Sequence, residues 1–304
     1  MALVVILTPN PAIDVTYRVD DQAIGETHRV REVSRRPGGK GVNVARVLAL
    51  LGHETLSLLP LGGSAGDWVL REMKAVGLET AVAPISEETR TTVAVVGGGK
   101  HPTLYAEPGP LISRTEADDL LRRIREACVG ATILVIAGSL PPGLNDDDIA
   151  QWIEASHAAG ALSLVDAGGR PLAAAARAGA DFLKPNESEL GEATSAPDVL
   201  AGAQLLLAAG AGTVVVTRGE RGLFAVSAEG HHCVDAVPGI TGNATGAGDA
   251  ATAGIVSAVL EHLGLDAALA RAAALGAAAV LSPVAGEIDL EAYHRFIEQQ
   301  EVAP

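Results

Sequence analysis

Ile133-Leu134-Val135-Ile136-Ala137 is followed by an amphipathic pattern over Asp146–Ala159 and then by Ser163-Leu164-Val165-Asp166, and this passage decides the fold class. The first run has no polar member, as expected of a strand covered on both faces. Two such strands joined by a helix form a parallel pair, because a parallel return needs a long crossover. Working outward, Leu3–Leu7, Phe182–Lys184 and Thr213–Thr217 read as further buried strands. Helical patterns fall at Val42–Leu51, Asp67–Ala75, Arg114–Cys128 and Pro197–Ala209. The alternation predicts an α/β fold with a central, mostly parallel sheet between helices.

Two stretches break the alternation. Residues 14–36 and 90–106 mix apolar and polar residues without an intervening helix. Tyr17–Val19, Arg29–Val33, Thr91–Val96 and Thr103–Ala106 look like antiparallel strands of a second, small sheet, either a lid over a site or an edge extension. No Ser/Gly-rich linker and no repeat divides the chain, so 1–304 reads as one domain with lid strands drawn from about 14–36 and 90–106.

Composition narrows the function classes. Of 304 residues, 48% are hydrophobic and only 3% aromatic, so Ala, Val, Leu and Ile must fill the core. Lys and Arg number 22 against 37 Asp and Glu, a net charge of −15. No basic run exceeds Arg35-Arg36, which argues against nucleic acid as a partner. An anionic substrate would need local cations working against the overall field. The two cysteines, Cys128 and Cys233, are far apart and form neither a disulfide framework nor a zinc motif. Met1–Leu7 lacks a basic leader region, and the Ala-rich stretch 266–281 contains Asp266 and Arg271 and is too short to span a bilayer. A cytoplasmic protein with no membrane partner is the expectation.

The strongest chemical signal is Thr245-Gly246-Ala247-Gly248-Asp249, ahead of a helical run to His262. A glycine-rich turn opening a helix offers unpaired N–H groups to an anion and lets backbone approach a phosphate. A plain N-cap would explain Asp249 but not the small residues packed before it. Phosphoryl transfer needs donors on the migrating group and a carboxylate for the hydroxyl proton, and this cluster can supply both.

Pro37-Gly38-Gly39-Lys40-Gly41-Val42-Asn43 is a second glycine loop, with a lysine inside it and an amide one turn into the helix. It is not a Walker A loop, because Gly41 stands where that motif needs Ser or Thr after its Gly-Lys. A third signal is Lys184-Pro185-Asn186-Glu187-Ser188-Glu189, where Asn186 and Glu189 can form a capping box or share a face toward a magnesium ion. Asp14 follows the first strand, Arg90 starts a lid strand, and Gly138-Ser139-Leu140-Pro141 ends a buried one. No dinucleotide fingerprint, nucleophile elbow or His-Glu-x-x-His is present, and His231-His232-Cys233 points alternately to two faces of a strand. Asp146-Asp147-Asp148 suits a helix N-terminus.

Together, Gly-Gly-Lys-Gly-x-Asn-x-Ala at 38–45, Lys-Pro-Asn-x-x-Glu-Leu at 184–190 and Gly-Ala-Gly-Asp at 246–249 resemble the ribokinase-like PfkB carbohydrate kinases. The opening Thr8-Pro9-Asn10-Pro11-Ala12-Ile13-Asp14, the Thr89-Arg90 pair and Gly138-Ser139-Leu140-Pro141 are similar to the hexose-phosphate branch. That branch includes 1-phosphofructokinase, tagatose-6-phosphate kinase and the minor 6-phosphofructokinase. The resemblance spans essentially the whole chain and implies a three-layer αβα sandwich with a β-sheet lid. It implies ATP-dependent transfer to a hexose phosphate, with fructose 1-phosphate the first expectation. A non-catalytic sugar- or nucleotide-binding regulator on the same fold is the reading from another class.

By the same resemblance Asp249 matches the catalytic base, and the amides of Gly246, Ala247 and Gly248 match an anion hole. Asp14, Gly39, Lys40, Asn43, Arg90 and Ser139 match substrate-binding positions, with Lys40, Arg90 and Ser139 near the phosphate the sugar already carries. Lys184, Thr217, Gly219 and Gly222 match positions at the nucleotide, and Asn186 and Glu189 a magnesium-associated motif acting through water. A homodimer formed through the lid is also implied. One departure stands out: relatives often carry Asp-Thr where this chain has Asn243-Ala244, which disfavours a ribokinase or adenosine kinase and leaves monovalent-cation dependence open.

Overall fold

Strand β1 (Leu3–Leu7) shows why the sheet is covered on both faces. Val4 and Ile6 join one hydrophobic core while Val5 and Leu7 join the other, and all four are fully buried. The same period-two split runs along β8 (Ala131–Ala137), with Ile133 and Val135 on one side and Leu134 and Ile136 on the other. Successive side chains of a strand point to opposite faces, so continuous apolar runs require two cores and hence three layers.

The computed structural model describes residues 2–98, 102–282 and 284–302. Beside β1 and β8, the main sheet contains β4 (Glu54–Leu61), β5 (Thr80–Pro84), β9 (Leu162–Asp166), β10 (Phe182–Leu183), β11 (Thr213–Thr217), β12 (Leu223–Ser227) and β13 (Gly230–Val234). Its order is β13-β12-β11-β10-β9-β8-β1-β4-β5. Pairings from β11 through β5 are parallel, and β12 and β13 add an antiparallel edge. The direction of winding reverses between β1 and β8, and open α/β sheets bind ligands outside the carboxyl ends of strands at such a point.

One core is closed by α1 (Lys40–Leu50), α2 (Gly63–Ala75), α8 (Ala247–Leu260), α9 (Leu265–Val280) and α10 (Leu290–Val302). The other is closed by α3 (Arg114–Ala127), α4 (Asp146–Ala158), α5 (Gly169–Arg177), α6 (Glu187–Thr194) and α7 (Val199–Ala209). With few aromatics available, small residues let backbones approach. A Cβ on Gly254 of α8 would lie 2.6 Å from the Cα of Ala272 on α9. The Ala-rich stretch is thus a packed helix, and no helix among the described residues is long and apolar enough to cross a membrane. At the start of α4, Asn145 and Asp148 close a capping box, and the three aspartates face the positive end of the dipole.

The two irregular stretches supply β2 (Ala12–Arg18), β3 (Glu32–Gly38), β6 (Arg90–Val96) and β7 (Thr103–Ala106), a separate four-stranded sheet ordered β3-β2-β6-β7. Residues 99–101 of the second stretch lie outside the described residues. Two corrections to the sequence reading follow. The central pair β2–β6 is parallel, not antiparallel, because each follows one of the mutually parallel main-sheet strands, β1 and β5, in the same sense. The strand expected at Arg29–Val33 runs over Glu32–Gly38, carrying arginines 35 and 36 into the ladder and bringing the first glycine loop to the end of a strand.

Candidate active site

Parallel strands deliver side chains to one end of the sheet, and five of them end at the same crevice. β1 leads to Asn10, β8 to Ser139, β9 ends in Asp166, β10 leads to Lys184, and β11 ends in Thr217. The glycine loops enter the same region as the starts of α1 and α8. Gly39 caps α1 with φ 112° and Gly246 caps α8 with φ 86°, conformations that a residue with a Cβ adopts at a cost.

The start of α8 is the centre. Gly246, Ala247 and Gly248 are half-buried in the first turn and Asp249 is buried just behind them. The Nδ2 of Asn43, from the first turn of α1, donates to Asp249 Oδ2 at 2.8 Å. Burial first, and then the charge of Asp166, pushes the Asp249 carboxyl up to about 7, against the opposing pull of the Asn43 hydrogen bond, Lys40 and Lys184. A carboxylate with that affinity for protons can accept one near neutrality. The Ala247 N–H donates to the carbonyl of Ala244 at 3.2 Å.

Asp166 organises the neighbouring cations. Its Oδ1 accepts from Lys40 Nζ at 3.0 Å; its Oδ2 lies 3.1 Å from Lys184 Nζ and accepts from Thr252 Oγ1 at 2.7 Å. Burial raises its pKa, but the two ammonium groups outweigh burial and hold it below the usual range. Lys40 also donates to Glu189 Oε1 at 2.9 Å, and although burial works against its charge, Asp166 and Glu189 keep it protonated. A Cβ on Gly168 would stand 2.7 Å from Glu189 Cγ, so the glycine makes room for that carboxylate. Two carboxylate oxygens from different elements thus converge on one cation, a donor set that suits a hard divalent ion such as magnesium.

A second polar cluster lies against the small sheet. Asp14 sits on β2 and accepts from the Gly39 N–H; burial pushes it up to about 6, opposed by Arg90 and Arg46. A Cβ on Gly38 would fall 2.0 Å from Asp14 Cγ, so that glycine admits the carboxylate. Arg90 donates to the carbonyls of Asn10 and Glu107 at 3.1 and 2.7 Å, and Asn10 Nδ2 donates to Ser139 Oγ at 3.2 Å. Arg90 lines an open pocket of about 380 Å³ with Glu87, Glu88 and Glu107. Those carboxylates accept from backbone N–H groups of Leu111, Ala65 and Thr91. The arginine bonds carbonyls and, among the described residues, forms no ion pair.

The structure therefore sorts the candidates into two groups. Asp14, Arg90 and Ser139 lie toward the small sheet. Asp249, Lys40, Asn43, Lys184 and Glu189 form the other group. Lys40 was expected beside the sugar's phosphate, but its ion pairs are with Asp166 and Glu189. Asn43 was expected on the sugar and holds Asp249. Asn186 was expected near a metal; its Oδ1 accepts from the Glu189 N–H at 2.9 Å as the N-cap of α6, and its own N–H donates to Glu189 Oε2. Thr217 pairs with Asn186 across a β-bridge, and Gly219 and Gly222 shape the turn beyond it, where a Cβ on Gly222 would meet the Val234 carbonyl at 2.0 Å.

Sequence reading passed over Asp166, Asn10, Arg46 and Thr252. Asp166 did carry a signal, as the sole carboxylate at the carboxyl end of a recognised strand. His231-His232-Cys233 falls on edge strand β13, with His232 paired to Asp266 at 2.6 Å, and no cluster of metal-ligating side chains appears there among the described residues.

Comparison with known proteins bears on the family and the fold. A family model described as pfkB family carbohydrate kinase matches residues 4–292. Phosphofructokinase-2 from Escherichia coli, solved in complex with fructose-6-phosphate, superposes with a TM-score of 0.89 at 28% identity, covering 99% of this chain and 100% of that one. Two further structures show the shared fold. A Thermotoga maritima protein described as a possible 1-phosphofructokinase gives a TM-score of 0.84 at 23% identity, over 97% of each chain. Arabidopsis thaliana ribokinase with ribose and ATP gives 0.76 at 22%, over 98% and 99%.

Proposed function

We propose that this chain, which belongs to the pfkB family of carbohydrate kinases, transfers the γ-phosphoryl group of ATP to a hydroxyl of a fructose phosphate. The observation that carries the reading is Asp249: a buried carboxylate raised to about 7, behind the first-turn amides of α8 and hydrogen-bonded to Asn43. The acceptor hydroxyl sits between Asp14 and Asp249. Its oxygen attacks the γ-phosphorus, the bond to the bridging oxygen of ADP breaks, and its proton passes to Asp249. The amides of Gly246 and Gly248 and the dipole of α8 meet the charge on the migrating group, while the Ala247 N–H, matched to the same anion hole in the sequence, is taken by the Ala244 carbonyl. Lys184, fixed by Asp166, faces the same group. Thr217, Gly219 and Gly222 shape the nucleotide's seat. A divalent cation held by Asp166 and Glu189 would draw negative charge from the phosphates when bound.

Arg90 supports a phosphorylated acceptor. It is a partly buried cation in an open pocket, bonded to carbonyls; Asp14 and Glu107 act on it electrostatically, but among the described residues neither forms an ion pair with it. Fructose 1-phosphate is the first acceptor. Fructose 6-phosphate is the second, favoured by the E. coli phosphofructokinase-2 complex, and both give the same bisphosphate. A coupled ADP-release assay across fructose 1-phosphate, fructose 6-phosphate, tagatose 6-phosphate and free fructose tests this. Turnover with one of the fructose phosphates at least roughly tenfold above free fructose is expected. Preference for free fructose would remove the role given to Arg90, and no turnover with any sugar would leave a binding protein.

A further inference from the structure

Lys40 and Lys184 both bind Asp166, yet only one of them is free to leave. The Lys184 side chain is 3% exposed and enclosed beneath the start of α8. The Lys40 side chain is 36% exposed at the mouth of the crevice, reaching from the start of α1 to two carboxylates on other elements. Those carboxylates are anchored without it. Asp166 Oδ2 is held by Lys184 and Thr252, and Glu189 Oε2 by the Asn186 N–H. Gly168 closes on Glu189 from behind. The two oxygens that face Lys40 therefore keep their places if its ammonium departs.

On the kinase reading, we propose that Lys40 is an exchangeable counter-ion. Its ammonium occupies the position between Asp166 and Glu189 that the divalent cation of the nucleotide takes, and it gives up that position when the metal–nucleotide complex arrives. Two cations cannot share the position, since like charges at that separation repel strongly in a partly dry site. Loss of both would leave Glu189 without a cation and Asp166 with Lys184 alone, close to Asp249. The exchange avoids both states. The incoming phosphates also receive the displaced ammonium, which a bare metal ion cannot do. The protein alone is thus a poor metal binder, and the metal enters with the nucleotide.

The test is a Mn²⁺ titration of the whole protein without nucleotide or sugar, reading free Mn²⁺ by electron paramagnetic resonance. Lys40→Gln should bind Mn²⁺ roughly tenfold or more tightly than the wild type, because the competing charge is gone. Lys40→Arg keeps the charge and should stay near wild type. An affinity of Lys40→Gln within about threefold of wild type would overturn the proposal, as would an equal gain in Lys40→Arg. The readout involves no turnover, so a failed sugar panel would remove the kinase reading without touching this result. If Lys40→Gln does not fold by circular dichroism, lysine ¹H–¹⁵N NMR of the wild type decides. Mg²⁺ with a non-hydrolysable ATP analogue should shift the Lys40 ammonium signal further than the analogue alone does. A Lys40 signal that moves no further overturns the proposal.

Discussion

Strand β9 carries a polar cluster at each end, and the two ends do different things. At the amino end, the N–H and Oγ of Ser163 donate to Asp181 Oδ2 at 2.8 and 2.9 Å, and Ser163 Oγ accepts from the Asp181 N–H. His157 Nε2 closes the group at 2.9 Å from the same carboxylate oxygen. Serine, histidine and aspartate side by side suggest a catalytic triad, but Ser163 and the imidazole both address one oxygen of Asp181. The cluster satisfies itself and ties α4 to β9 and β10. At the carboxyl end, Asp166 gathers two lysines and a threonine and lifts the proton affinity of a second carboxylate. Local polar groups balanced against one another hold a fold together; charges brought from distant segments into a buried crevice are kept for chemistry.

Asp249→Asn has the largest expected effect. Turnover should fall about a hundredfold or more while nucleotide binding survives, measured by ADP release and calorimetry. The same change should stabilise the protein at pH 8. The folded pKa of Asp249, about 7, lies above its ordinary value of 3.8, so the native state holds the extra proton between those pH values. Stability contributed by that proton is lost as pH rises through about 7, and the uncharged Asn escapes the loss. The gain in melting temperature should vanish below about pH 4, where both states are protonated. A lower melting temperature at pH 8 would contradict the burial argument.

Asp166→Asn ranks second. It should cost roughly tenfold to a hundredfold in turnover, because both lysines lose their anchor. It should also lower the pKa governing the acid limb of the pH profile, since Asp166 is one of the charges that raises Asp249. A limb that stays in place would separate the two carboxylates.

Ser163→Ala at the other end of the strand is the smallest effect. A loss of about 1 kcal/mol in denaturant unfolding is expected, with turnover unchanged. If turnover fell as far as in Asp166→Asn, the contrast between the two ends would fail.

Much of the sheet could be read from the chain. Leu3–Leu7 and Thr213–Thr217 agree with the structure to the residue, since continuous aliphatic runs leave few alternatives. Strand β4 escaped because Thr55 and Ser57 interrupt its apolar run, though both are buried. The parallel β2–β6 pairing escaped because no local pattern encodes it. The glycine loops announced themselves through composition. Asp166 carried only its position at a strand end, because a single aspartate there gains meaning from Lys40, 126 residues away, and Thr252, 86 residues away. Lys40 is a related case: a lysine in a glycine loop says that an anion is near, and the partners it meets in the structure are Asp166 and Glu189.

The central claim is that Asp249 is the proton acceptor and that its surroundings set it near neutrality. The pH dependence of kcat/KM for the preferred sugar phosphate, from about pH 5 to about pH 9, tests it in wild type and Asn43→Ala. The account predicts activity rising with pH through one ionisation near 7. In Asn43→Ala that limb moves to higher pH, because the hydrogen bond favouring the charged form is gone. A flat profile, or a limb that ignores the loss of Asn43, would contradict it.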